Sequence, residues 1–148
     1  MKAKNNETVL IRRLILRFHG TFLFVLTIAA TVNTMAGWLY GKGIYALWHE
    51  EQFAAVGLYQ AYLLMFVIAI TLWIGSKLEQ ADLWKWELIA ILAHLIPLSV
   101  NFIFADLFAS RGFGNVSLIS SLLHSIWICV ELFAMLYLGR SGLKTKTL

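Results

Sequence analysis

The sequence predicts an all-α fold of the membrane class: a polytopic bundle of four antiparallel transmembrane helices that forms one domain over residues 1–148. Composition is the first reason, because 60% of the residues are hydrophobic and 14% are charged, whereas about a quarter of a soluble domain is charged. Length is the second, because four apolar runs each reach the roughly 20 residues that a spanning helix needs. Charge is the third, because the basic residues concentrate in alternate connections between these runs.

The first span is predicted over about residues 11–37, and three arginines precede or enter it. Its apolar run is longer than the roughly 7–15 residues of a cleaved signal peptide, so we interpret it as an uncleaved signal anchor. The stretch 37–51 that follows is broken by glycine and rich in Trp and Tyr. That composition predicts a short interfacial helix over residues 44–49, in the headgroup region of the membrane.

The other three spans follow after short connections. The second is predicted over about residues 53–75 and ends at a charged turn. The third, over about residues 84–108, contains Pro97, which lacks a backbone N–H and therefore predicts a kink in the helix. The fourth, over about residues 116–138, ends before a basic tail.

The distribution of basic residues predicts the orientation of these spans. Ten of them lie on the amino-terminal flank, in the middle turn and in the tail, against two, Lys42 and Arg111, in the first and third connections. Because Lys and Arg concentrate on the cytoplasmic side of a membrane, both termini are predicted to be cytoplasmic. The protein is therefore expected to be an integral, multi-pass membrane protein.

Polar residues recur every seven positions along the last two spans: Glu87, His94 and Asn101 on the third, and Ser117, His124 and Glu131 on the fourth. Seven residues are close to two helical turns, so each set lies along one face of its helix. An unpaired polar group in hydrocarbon costs several kcal/mol, so neither face is expected to point to lipid. Each polar stripe is therefore predicted to face the interior of the bundle.

Counting about 1.5 Å of rise per residue from the ends of the spans gives each polar residue a depth. His94 is predicted to be level with Glu131 in the inner half of the membrane, and Asn101 level with His124 in the outer half. We expect at least one of these pairs to approach within about 6 Å, directly or through a water molecule. The same counting predicts an outer cluster of four residues: Asn33, Gln60, Asn101 and His124.

These stripes predict a protein whose bundle interior binds a small amphipathic molecule, such as a membrane lipid, a quinone or an isoprenoid. Polar groups would hold its head, and aromatic residues would line its body. The predicted ligand-binding residues are His94, Glu131, Asn101, His124, Asn33, Gln60, Tyr59, Tyr62 and Trp127.

Two other functions stay open at this point. The protein fits an accessory subunit or assembly factor of a larger membrane complex, with other membrane subunits as partners and the polar residues serving helix packing alone. It also fits a membrane enzyme or proton carrier that uses His94 and Glu131, because ionisable residues within spans are commonly functional. The sequence does not decide whether the protein is an enzyme and assigns no catalytic residue.

Several kinds of site are not expected. His94 and His124 suggest a b-type haem with two imidazole ligands, but their predicted depths differ by roughly 9 Å. No span has an HxxxH or ExxH spacing, so neither a metal site nor a cofactor is predicted. The one cysteine, Cys129, excludes a disulfide framework. The basic residues lie at membrane boundaries, so no nucleic-acid partner is expected.

Overall fold

The structure is a computed structural model that describes residues 2–139. Every regular element in this range is helical. Four helices in it are long and apolar enough to cross a membrane: Asn6–Tyr40, Phe53–Gly75, Gln80–Ile103 and Gly114–Leu138. For this part of the chain, the predicted all-α class and the predicted number of candidate spans are confirmed.

Five α-helices and three shorter helical turns make up the described residues. The α-helices are α1 (Lys2–Tyr40), α2 (Gln52–Gly75), α3 (Leu83–Ile103), α4 (Ala105–Ser110) and α5 (Gly114–Phe133). Turns of 3-10 helix at Ala46–His49 and Gln80–Asp82 precede α2 and α3, and a π-helical turn at Ala134–Leu138 continues α5.

The third span ends earlier than its apolar run. Pro97 lies inside α3, which continues past it to Ile103. Phe104 then leaves helical geometry, with φ −107° and ψ 22°, before α4 begins. Asp106 lies in the first turn of α4, where the positive end of the helix dipole stabilises a carboxylate. Because apolar residues continue to Phe108, hydropathy alone did not reveal this break.

The described residues belong to two compact units. The first unit contains the chain up to Arg17 and from Ile74 onward, and the second contains Phe18–Trp73. The first unit therefore holds the start of α1 together with α3, α4 and α5. The organisation of the whole chain as one domain stays a prediction.

In the second unit, the remainder of α1 packs against α2. Gly20 allows the two backbones to approach closely, since a Cβ there would lie 2.8 Å from the carbonyl oxygen of Ala69. Further along, the rings of Phe24 and Phe66 have centroids 5.0 Å apart. Later residues of α1 thus meet earlier residues of α2, so the two helices run in opposite directions.

The end of α1 depends on a glycine with a left-handed backbone. Gly41 has φ 61°, a conformation that an L side chain rarely adopts, and its N–H donates to the Gly37 carbonyl at 2.9 Å. This arrangement is a common way to terminate a helix. The chain then enters the 3-10 turn at Ala46–His49, within the stretch where the interfacial helix is predicted.

In the first unit, α3 packs along α5. Apolar side chains of both helices are buried, among them Ala90 on α3 and Trp127 on α5. The opposite surface of α3 is apolar and exposed, with Ile96 at 66% and Phe102 at 69% of full exposure. Such a surface suits contact with lipid, whereas Glu87 and His94 of the same helix are buried.

Candidate functional site

The two polar stripes meet at the interface of α3 and α5. In both stripes the polar residues are seven positions apart, and the two helices run in opposite directions. When one residue of the α3 stripe lies opposite one residue of the α5 stripe, the remaining residues of the two stripes also lie opposite one another. The aligned pairs are Glu87 with Glu131, His94 with His124, and Asn101 with Ser117. We call these three pairs the polar ladder.

The middle pair of the polar ladder is a direct contact between two imidazoles. Nδ1 of His94 and Nδ1 of His124 are 2.6 Å apart, and the ring centroids are 4.9 Å apart. His94 is buried, with 2% of its surface exposed, and the indole of Trp127 stacks on it at 6.3 Å with an interplanar angle of 7°. One ring must donate its Nδ1–H and the other must accept it.

The outer pair, Asn101 with Ser117, is joined by a hydrogen bond from the Asn101 amide. Nδ2 of Asn101 donates to Ser120 Oγ at 3.2 Å and to the Ser117 carbonyl oxygen at 3.5 Å. The same Ser117 carbonyl accepts from Ser121 Oγ at 2.8 Å. Asn101 is therefore bound to the first half of α5, one turn before the histidine.

The inner pair consists of two fully buried carboxyl groups, Glu87 and Glu131. Arg12 of α1 binds Glu87 with both arms of its guanidinium, Nε to Oε1 at 2.7 Å and Nη2 to Oε2 at 2.6 Å. Arg12 is itself buried, with 4% of its surface exposed. This part of the interior thus holds one guanidinium and two carboxyl groups.

The π-helical turn lies next to this ion pair. It follows Glu131 along α5 and leads to Gly139, where a Cβ would lie 3.8 Å from Nη1 of Arg12. Extra residues in a helical turn occur frequently at functional sites. Here the turn brings the end of the last span against the Arg12 guanidinium.

The predicted alignment of the stripes is wrong by one heptad. His94 pairs with His124, where Glu131 was expected, and Asn101 binds Ser117 and Ser120, where His124 was expected. The prediction took depths from the first charged or aromatic residue at each membrane boundary. Side-chain pairing sets the register instead, and it brings the two histidines to one level, which removes the predicted 9 Å difference in depth.

The distance between the two imidazoles also limits which metal ions the histidines can hold between them in this arrangement. A metal ion between two imidazole nitrogens keeps each at about 2 Å, whereas these Nδ1 atoms are 2.6 Å apart. An iron atom therefore does not fit between the two Nδ1 atoms. Elsewhere in residues 2–139, no group of three or more His, Cys, Asp or Glu side chains is arranged to hold a metal ion.

The remaining predicted site residues lie in the second unit. Asn33 is exposed, and its Nδ2 donates to the Ala29 carbonyl of its own helix at 2.8 Å. Gln60 is exposed as well, and Tyr59 is half-buried. Tyr62 is half-buried, and its hydroxyl lies 2.7 Å from the hydroxyl of Tyr45. Their grouping with residues of α3 and α5 around a ligand stays a prediction.

Sequence reasoning missed one residue of the site entirely and underused another. Arg12 was treated as a flanking charge, although it lies within the predicted first span. Glu87 belonged to a stripe but not to the predicted binding residues. The two are 75 positions apart, so no local pattern connects them. A buried arginine does require an anionic partner, and that requirement was the available signal.

No protein-family model, curated protein or solved structure matches this chain.

Proposed function

We propose that this protein is a proton carrier, in which Glu131 and the His94–His124 pair accept protons and pass them along the interface of α3 and α5. The observation that supports it most is the 2.6 Å contact between two imidazoles within the apolar spans. Imidazole is the side chain that most readily exchanges protons near neutral pH. Ionisable residues at such depth commonly belong to proton relays.

The imidazole pair supplies a route for one proton. A proton that binds Nε2 of one ring allows that ring to release its Nδ1 proton across the hydrogen bond. The second ring then holds it on Nδ1 and releases another proton from its own Nε2. One proton enters, one leaves, and both rings finish neutral with their tautomers exchanged, so rotation of the rings resets the pair.

The inner pair of the polar ladder supplies the next acceptor. Glu131 is buried in the same part of the interior as the Arg12–Glu87 ion pair, and a proton on Glu131 neutralises its carboxylate there. Glu87 keeps its charge through two charge-assisted hydrogen bonds with Arg12. Glu131 is therefore the carboxyl that alternates between its charged and neutral forms.

The polar ladder covers a large part of the membrane thickness. Glu87 and Asn101 are two heptads apart, which corresponds to about 21 Å of helix, against a hydrocarbon core of about 30 Å. Successive pairs are about 10 Å apart along the helix axis, so each step needs a side-chain movement or a water molecule. Asn101 and Ser120 offer donors and acceptors that can orient such a water.

The proposal includes the arrangement of the whole protein. We propose four antiparallel spanning helices, both termini in the cytoplasm and the turn at Ala46–His49 at the opposite membrane surface. The opposed directions of α1 and α2, and of α3 and α5, support the antiparallel order. The excess of basic residues on alternate segments supports the orientation. In this orientation Glu131 exchanges protons on the cytoplasmic side.

Binding of a lipid, quinone or isoprenoid remains an alternative, as does an accessory role in a larger complex. The bonds of His94 and Asn101 to α5 favour the accessory role over ligand binding, because these groups already have protein partners. The same bonds would serve helix packing alone. A measurement of proton flux distinguishes a proton carrier from a ligand-binding protein and from an accessory subunit.

The test is proton uptake by liposomes that contain the full chain and an internal pH-sensitive dye. A potassium gradient with valinomycin supplies the driving potential. We expect acidification of the interior, and a decrease of at least about tenfold for Glu131→Gln and for His124→Asn, since positioned acid–base groups commonly contribute a hundredfold or more. Glu50→Gln, the same change at an exposed carboxyl outside the spans, should leave the flux unaltered.

Two results would overturn the proposal. One is flux no greater than that of empty liposomes. The other is flux that Glu131→Gln leaves unchanged while the variant unfolds at a lower temperature, because that combination assigns Glu131 to packing.

A further inference from the structure

Two arginines in the first half of α1 hold the turn that precedes α3. Nη2 of Arg13 donates to the Leu78 carbonyl at 2.8 Å, and Nε of Arg17 donates to Ser76 Oγ at 3.2 Å. The two arginines are one helical turn apart, on the same face of α1. Arg12, in contrast, binds the buried Glu87.

No carboxylate of the described residues neutralises the charge of Arg13. Among residues 2–139, no carboxylate forms an ion pair with Arg13, and its buried Nε has no hydrogen-bond partner. The bond to the Leu78 carbonyl uses one of the five N–H groups of a guanidinium. The neighbouring Arg12 is compensated by both oxygens of Glu87, so Arg13 is the cation that requires an anion from outside.

The surroundings of Arg13 indicate which anions can reach it. Leu10 and Leu14 next to it are 56% and 51% exposed, as expected of a surface in contact with lipid chains. Lys77, an exposed cation, lies in the turn that Arg13 and Arg17 hold. This cluster therefore lies where apolar surface gives way to a charged turn, at the level of lipid headgroups.

We propose that Arg13, with Arg17 and Lys77, forms a binding site for a phosphate group, and that the phosphodiester of an anionic membrane lipid occupies it. A guanidinium presents two parallel N–H groups to two phosphate oxygens. Basic residues beside a span also attract lipids of net negative charge. The site does not take part in the proposed proton route, and the inference does not depend on that route.

The test measures which lipids stay bound to the purified protein. The full chain is reconstituted with equal amounts of phosphatidylglycerol and phosphatidylcholine, extracted in mild detergent and analysed by native mass spectrometry. We expect phosphatidylglycerol to be enriched among bound lipids. Arg13→Gln should lower that enrichment about fivefold, which corresponds to the roughly 1 kcal/mol that one basic residue contributes near an anionic surface.

Two variants serve as comparisons. Arg13→Lys keeps the charge but lacks the two-armed donor, so its enrichment should lie between those of the wild type and Arg13→Gln. Lys42→Gln removes a basic residue from the connection after α1, in the second unit, and should leave the enrichment unchanged. Size-exclusion profiles and melting temperatures show that each variant is folded.

Addition of millimolar inorganic phosphate distinguishes the two sources of the anion. Phosphatidylglycerol that stays bound supports a lipid site, whereas its displacement by phosphate shows that the site takes the free anion and overturns the lipid assignment. Equal enrichment in the wild type and in folded Arg13→Gln, or an equal decrease in Lys42→Gln, would overturn the site altogether.

Discussion

His94 and His124 share a 2.6 Å hydrogen bond between their Nδ1 atoms, which joins α3 to α5 within the polar ladder. The bond requires different tautomers or charge states in two chemically identical rings, because only one of them can have a proton between the two nitrogens. Replacement of either histidine therefore leaves the other imidazole without its hydrogen-bond partner.

A double-mutant cycle can measure how much the histidine pair contributes to the free energy of unfolding. His94→Leu and His124→Leu should each lower the free energy of unfolding by about 1–3 kcal/mol, because each leaves a polar ring without its partner in an apolar site. The double variant should lose less than the sum of the two, with an interaction energy of about 1 kcal/mol or more. Unfolding in mixed micelles measures all four proteins, and additive losses would contradict the pairing.

The ion pair of Arg12 and Glu87 should be sensitive to the loss of one partner. Arg12→Met leaves a buried carboxylate uncompensated, and we expect a loss of about 3–5 kcal/mol in the free energy of unfolding. The double variant Arg12→Met with Glu87→Leu should recover most of that loss, since no buried charge then remains in the pair.

The chain contains a matched control for that experiment. Lys85 and Asp82 also form an ion pair, at 2.7 Å, but their side chains are 57% and 44% exposed. Lys85→Met should therefore cost less than about 1 kcal/mol. A loss for Arg12→Met as small as this would show that the Arg12–Glu87 pair is not buried in the folded protein.

The close approach of α1 and α2 predicts opposite effects at two glycines. Gly20→Ala would place a Cβ 2.8 Å from the Ala69 carbonyl oxygen, and the forced separation of the backbones should cost about 1–3 kcal/mol. Gly57→Ala meets nothing within 4 Å, so it should leave stability unchanged or raise it by up to about 1 kcal/mol. Melting temperatures of the two variants check this, and equal values would contradict the contact.

The proposed orientation predicts the side on which each terminus lies. A reporter that is active only in the cytoplasm should be active when fused to residue 1 or to residue 148, because both flanks are basic. The same reporter inserted after Lys42, in the first connection, should be inactive. Opposite results at the two termini would rule out an even number of spans.

Apolar runs were sufficient to predict closely α2 and the span formed by α5 with its π-helical turn, because a spanning helix needs a minimum length of apolar residues. They were not sufficient for the end of α3, because Phe104 interrupts the helix within a run that is apolar to Phe108 apart from Asp106. Hydropathy measures affinity for lipid and contains little information about backbone geometry.

Only part of the polar ladder was predicted from the sequence. Seven-residue spacing showed that Glu87, His94 and Asn101 share a face and that this face needs partners. It did not show which residues of α5 lie opposite, because depth counted from the membrane boundary has an error of about a helical turn or more. The ion pair of Arg12 with Glu87 joins distant parts of the chain, and only the folded structure reveals it.

The equal repeats on α3 and α5 have a consequence for how the two helices find their alignment. A displacement by one heptad would bring His94 opposite Glu131 and Asn101 opposite His124, so polar groups would again meet polar groups. The repeats alone therefore specify a set of nearly equivalent alignments, spaced about 10 Å apart. The choice among them must come from outside the repeats. Arg12 makes that choice by binding Glu87 of α3 while it lies against Gly139, which follows α5 at the same end of the interface.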